Sequence, residues 1–133
     1  MIVIDASALL EAVAFEPVNT ALVERLLGAD GLSAPHLVDV EVLSALRRLV
    51  AAGDMTAGSA SDLKDRILGL SLRRYPHGGL TDRMWNLRHD ITPYHASYVA
   101  LSEVLEVPLV TADGHLARAA GHRATIELFE RTE

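Results

Sequence analysis

Four residues of this 133-residue chain stand where side chains could do chemistry: Asp5, Glu41, His95 and Asp113. Asp5 closes the β-branched run Ile2-Val3-Ile4, and Asp113 follows Pro108-Leu109-Val110-Thr111, so each acid is expected at the carboxyl end of a short buried strand. Parallel strands lying side by side would bring both into one crevice, where open α/β sheets collect ligands. Glu41 sits one turn into a helical pattern that starts at Leu37. Three gathered carboxylates repel, a pair about 4 Å apart by roughly 4 kcal/mol at an effective dielectric of about 20. A shared proton would relieve this, and so would a hard cation; all-oxygen clusters of this kind suit Mg²⁺ or Mn²⁺, which keep waters and take substrate phosphate. Each residue also has a plainer reading. Asp5 or Ser7 could simply cap the helix that follows, Glu41 could be a partly exposed helix residue, and His95 a hydrogen-bonded structural imidazole.

The elements that must position these groups alternate. A helix over Ser7 to Ala14 follows the first strand, and a second opens at Pro17 or Asn19 and runs to Leu27, with Gly28 as its stop. Leu32-Ser33-Ala34 reads as a brief strand ended by Pro35. The helix from Leu37 to Gly53 places Val38, Val42, Ala45, Leu46 and Leu49 on one arc, with Glu41 at its margin. Thr56 caps the next helix, whose apolar repeat is Leu63, Ile67 and Leu70. Leu70 to Tyr75 is extended, Leu80, Met84 and Leu87 mark a further helix ending near His89, and Trp85 is expected in the core or an interface. Thr92-Pro93 then starts a helix to about Glu106, and apolar residues all round it, from Tyr94 to Leu105, predict burial on most sides. A small helix from about His115 and a strand around Thr125 to Phe129 end the chain. Strands alternating with helices imply a three-layer α/β sheet, mostly parallel, in a single domain over 1–133.

The totals exclude several classes. No cysteine is present, which removes disulfides, thiolate nucleophiles and cysteine zinc sites, and the histidines at 36, 77, 89, 95, 115 and 122 show no paired ligand spacing. No stretch reaches the length of a membrane span and no basic leader opens the chain, so a soluble cytoplasmic protein is expected. A formal net charge of −6 argues against a broad duplex footprint. The Arg pairs Arg47-Arg48 and Arg73-Arg74 are nevertheless candidates for bidentate phosphate contact, with solvated helix and strand faces as the alternative. A signalling receiver is disfavoured because Asp5 has no adjacent acid and Lys64 is the only lysine. No glycine cluster follows Asp5 to cradle a nucleotide.

With these residues in place, the chain resembles PIN-domain proteins of the VapC toxin type. The likeness rests on four blocks in order: Val-Ile-Asp5-Ala-Ser-Ala-Leu-Leu; Ala-Pro-His-Leu-Val-Asp-Val-Glu41-Val-Leu-Ser-Ala-Leu; Ile-Thr-Pro-Tyr-His95-Ala-Ser-Tyr-Val-Ala-Leu-Ser-Glu; and Pro-Leu-Val-Thr-Ala-Asp113. The resemblance implies a small α/β/α domain that cleaves RNA with Mg²⁺ or Mn²⁺, forms a homodimer and is held inactive by a cognate antitoxin, whose contacts would fall on the first two helices and the Leu37 to Gly53 helix. It also implies that Asp5, Glu41 and Asp113 are the metal-binding acids. Position 95 departs from the pattern, which has an aspartate there. An imidazole carries no negative charge and is a poor ligand for Mg²⁺, so a one-metal site that is weaker than usual and prefers Mn²⁺ is expected. The alternative is a catalytically silent member of the fold that only binds an antitoxin.

Overall fold

A computed structural model describes residues 1–131 of the chain. Five short strands form one sheet: β1 (Ile2–Ile4), β2 (Leu32–Pro35), β3 (Leu72–Tyr75), β4 (Leu109–Thr111) and β5 (Ile126–Leu128), in the order β3-β2-β1-β4-β5 with every pairing parallel. β1 is central, with Val3 opposite Ser33 on one side and Leu109 on the other. The chain builds outward from β1 through β2 to β3, then crosses back to β4 and β5. The carboxyl ends of β1 and β4 therefore flank a topological switch point, where a crevice opens because the flanking connections diverge.

The seven α-helices are α1 (Ala6–Val13), α2 (Thr20–Leu27), α3 (Leu37–Ala51), α4 (Ala57–Leu68), α5 (Thr81–Asn86), α6 (Pro93–Leu105) and α7 (Gly114–Ala117). α1, α3 and α4 pack on one another, while α6 lies across β1, β2 and β4 with α5 beside it, which gives the three-layer α/β/α arrangement. The expected caps form: Asn19, Thr56 and Thr92 accept from the backbone amides of Leu22, Ser59 and His95. The core joins Ile2, Val3 and Ile4 with Leu9, Val38, Val42, Tyr98, Val99 and Leu109, all at most 1% exposed. Burying β1 on both faces explains its unbroken apolar run.

α6 is buried all round from Ala96 to Ser102, as its pattern predicts, whereas Tyr94 and Val104, in its outer turns, face solvent. Of the two places expected for Trp85, the core is excluded: the ring is exposed and the Arg88 guanidinium covers it at 4.4 Å. Leu70 lies beyond the end of α4 at Gly69 and is likewise exposed, and the extended piece after it joins the sheet as edge strand β3.

Candidate active site

Asp5 caps α1 and also lines the candidate cleft, so the two readings of its position are compatible. Its Oδ1 accepts from the Ala8 amide at 2.9 Å, capping α1, and from the Ser7 hydroxyl at 2.7 Å; its Oδ2 accepts from the Thr111 hydroxyl at 2.5 Å. The same Thr111 oxygen accepts from the Asp113 amide at 3.0 Å, and the Ser7 oxygen accepts from the Ala112 amide at 3.0 Å. Two hydroxyls thus stitch the end of β1 to the end of β4 and fix the backbone that carries both aspartates. Burial pushes the Asp5 carboxyl above the usual aspartate range, against the opposing pull of Thr111, Ala8, Ser7 and the positive charge of His95.

Asp113 caps α7, its Oδ1 accepting from the His115 amide at 2.9 Å, and its Oδ2 lies 3.2 Å from Nε2 of His95, in the first turn of α6. Glu41 comes from α3. Its Oε1 accepts from the Tyr98 hydroxyl at 2.6 Å, a bond from a fully buried phenol on α6 whose pKa is driven far up, chiefly by burial and then by Glu41 itself. Tyr98 therefore stays a proton donor at any ordinary pH, and Glu41 is held by one oxygen.

Asp5, Glu41, His95 and Asp113 line a single cleft of about 590 Å³ together with Ser7, Ser44, Arg48 and Tyr94. Of the four arginines singled out in the sequence, only Arg48 reaches it, its Nη1 donating to Ser44 at 3.1 Å. Arg47 lines a shallow groove between α3 and α4 instead; Arg73 stacks on Tyr75 at 5.1 Å; Arg74 is paired with Asp39 at 2.8 Å. The geometry takes these three away from the cleft. Ser7 appeared in the sequence only as a possible cap, and Thr111, Tyr98 and Tyr94 only as members of apolar elements. A hydroxyl in a buried apolar run must find a partner, and that requirement was the available signal for Thr111 and Tyr98.

Among the described residues no three acid or imidazole side chains form a ready-made metal cage. The donor set nonetheless fits a hard divalent cation. Three carboxylates share one cleft, each retains lone pairs beside the hydrogen bonds it accepts, and buried Asp5 gains from an added positive charge. His95 is the group that now occupies an oxygen of Asp113, so a cation there would compete with the imidazole.

A family model described as PIN domain matches residues 2–122. Among curated relatives, Ribonuclease VapC1 of Mycobacterium tuberculosis is 40% identical over 127 residues, covering 95% of this chain and 96% of its own length. The VapC ribonuclease Mb0985 of Mycobacterium bovis is 39% identical over 131 residues, covering 98% and 100%. Among solved structures, PAE2754 from Pyrobaculum aerophilum superposes with a TM-score of 0.71 at 24% identity, covering 94% of this chain and 81% of that one.

Proposed function

The chain belongs to the PIN-domain family, and on that premise we propose that it is a VapC-type endoribonuclease toxin that cuts RNA phosphodiesters with Mg²⁺ or Mn²⁺. One observation carries the reading: side chains from four separate elements, at positions 5, 41, 95 and 113, converge on one cleft at the switch point of the sheet. Bound in that cleft, the cation would supply positive charge to the phosphate and acidify a water for attack on phosphorus. Asp5, Glu41 and Asp113 are the residues that would hold it. Ser7 and Thr111 orient Asp5, Tyr98 orients Glu41, and His95, beside Asp113, stands where the family pattern has a further carboxylate. Arg48, at the same cleft, is positioned for a phosphate oxygen. Because the imidazole leaves only three acids, the site takes one metal and prefers Mn²⁺.

The same premise extends to a cognate antitoxin that silences the enzyme, a homodimeric state, a single domain and action in the cytoplasm; no helix among the described residues is long and apolar enough to cross a membrane. The likeness to relatives named as ribonucleases favours an enzyme over the silent antitoxin-binding alternative that His95 raises. The deciding experiment is RNA cleavage by purified protein in Mn²⁺, Mg²⁺ or EDTA, beside Asp5→Asn. Cleavage that needs the cation, is faster with Mn²⁺ and is lost in Asp5→Asn is expected, with His95→Asp improving the Mg²⁺ reaction. Equal cleavage in EDTA, or full activity of Asp5→Asn, would refute the reading.

A further inference from the structure

Tyr94 is set apart from the other aromatic side chains. Tyr98 is buried and Phe129 packs against the core, while Phe15, Tyr75 and Trp85 are each covered by a guanidinium, from Arg131, Arg73 and Arg88 at 5.2, 5.1 and 4.4 Å. Tyr94 is 60% exposed, and among the described residues no cation covers its ring and its hydroxyl has no hydrogen-bond partner. It is not on an arbitrary surface. It lines the cleft of the acids, one residue before His95, in a first turn made rigid by the Thr92 cap and by Pro93. Val40, 62% exposed, and Leu37 line the same cleft, whose cationic member is Arg48.

We infer that Tyr94 is a stacking platform for an unpaired nucleobase next to the phosphate that is cut, a positioning residue that holds the strand by its base while Arg48 takes a phosphate. The inference rests on the ribonuclease reading above and deepens it. An aromatic face beside a guanidinium and a carboxylate cluster matches a nucleotide part by part: ring to base, Arg48 to phosphate, acids with their cation to the reacting phosphorus. In a duplex both faces of each base are already stacked, so such a platform has nothing to hold. Stacking tolerates any base, so Tyr94 leaves sequence to other contacts.

The test is binding rather than turnover. Fluorescence anisotropy of a short labelled single-stranded RNA, and of its duplex, is measured in EDTA and in Ca²⁺ with wild type, Tyr94→Phe and Tyr94→Ala, with sedimentation of each protein. Loss of one base–aromatic stack should weaken single-strand binding by about tenfold in Tyr94→Ala, leave Tyr94→Phe near wild type and leave the weak duplex binding unchanged. Unchanged single-strand affinity in Tyr94→Ala, or an equal loss on duplex, overturns the inference. A changed oligomeric state without a binding loss assigns Tyr94 to a contact between copies and overturns it as well. Wild type that binds single strands through Tyr94 yet never cuts them would sink the nuclease reading while the platform stands.

Discussion

Asp5 shows at the scale of one residue how the site and the fold oppose each other. The folded protein holds this carboxyl above its ordinary value of 3.8, so it takes up a proton more readily folded than unfolded. The stability that Asp5 contributes is therefore fully present below the ordinary aspartate range and is lost as pH rises through the raised, folded value. At neutral pH an ionised Asp5 is a burden, relieved only in part by Ser7, Ala8 and Thr111. Asp5→Asn keeps an acceptor for the Ala8 amide and removes the charge, so in EDTA at pH 7 it should be more stable than wild type by roughly 1 kcal/mol. Thermal melts should show that advantage shrinking as pH falls towards the ordinary aspartate range. Adding Mn²⁺ should then raise the melting temperature of wild type only, because a ligand stabilises the state that binds it. An Asn variant that is less stable than wild type at pH 7 and no more so at low pH would contradict the raised pKa.

Between elements, the coupling that matters runs from α6 to α3, through the Tyr98 hydroxyl to Glu41 at 2.6 Å. Tyr98→Phe removes one oxygen from a packed position and leaves the ring in place, so the fold should persist while Glu41 regains rotamer freedom. Groups that orient metal ligands are typically worth about 10- to 100-fold in affinity, and calorimetric Mn²⁺ binding should weaken at the lower end of that range. The same change made in a Glu41→Gln background should have no further effect; an equal loss there would mean that Tyr98 acts on something other than Glu41. This link also marks what the sequence could and could not disclose. Strands ending in Asp5 and Asp113, the Thr92-Pro93 helix start and the α3 arc with Glu41 at its edge were legible because periodicity, caps and β-branched runs are local signals. The partners of Glu41 and Asp5 were not, because Tyr98 and Thr111 lie 57 and 106 residues away and their polar atoms sit inside apolar patterns that read as plain core. The exposure of Tyr94, and the choice between core and interface for Trp85, were not legible for a related reason: apolar character says a side chain can be buried, and only the neighbouring helices decide whether it is.

Over the whole molecule, charge decides how RNA can be held. The net charge is −6, and much of the arginine complement is tied up in ion pairs that brace the fold: Arg25 with Glu127, Arg74 with Asp39, Arg83 with Glu103 and Arg131 with Glu11. Such pairs join distant parts of the chain, and a guanidinium already facing a carboxylate has little to offer a phosphate. Within the cleft, Arg48 stands free of any acid among the described residues, which makes it the cleft's own cation for a phosphate. Binding of single-stranded RNA should consequently depend only weakly on salt, each phosphate contact adding about 0.7 to the slope of log affinity against log salt. Arg48→Ala should flatten that slope by about one contact's worth, whereas Arg74→Ala should leave it unchanged and cost no more than about 1 kcal/mol of stability, as partly exposed pairs do. Anisotropy titrations across a range of potassium chloride concentrations measure both. A steep slope in wild type, or a fall with Arg74→Ala equal to that with Arg48→Ala, would mean that RNA lies across the β3 edge of the sheet and that the cleft is only part of its path. A shallow slope confined to Arg48 instead implies that an acidic surface repels RNA everywhere but at the site, so that a strand is admitted end-on or as a loop and selected by the fit of a few nucleotides.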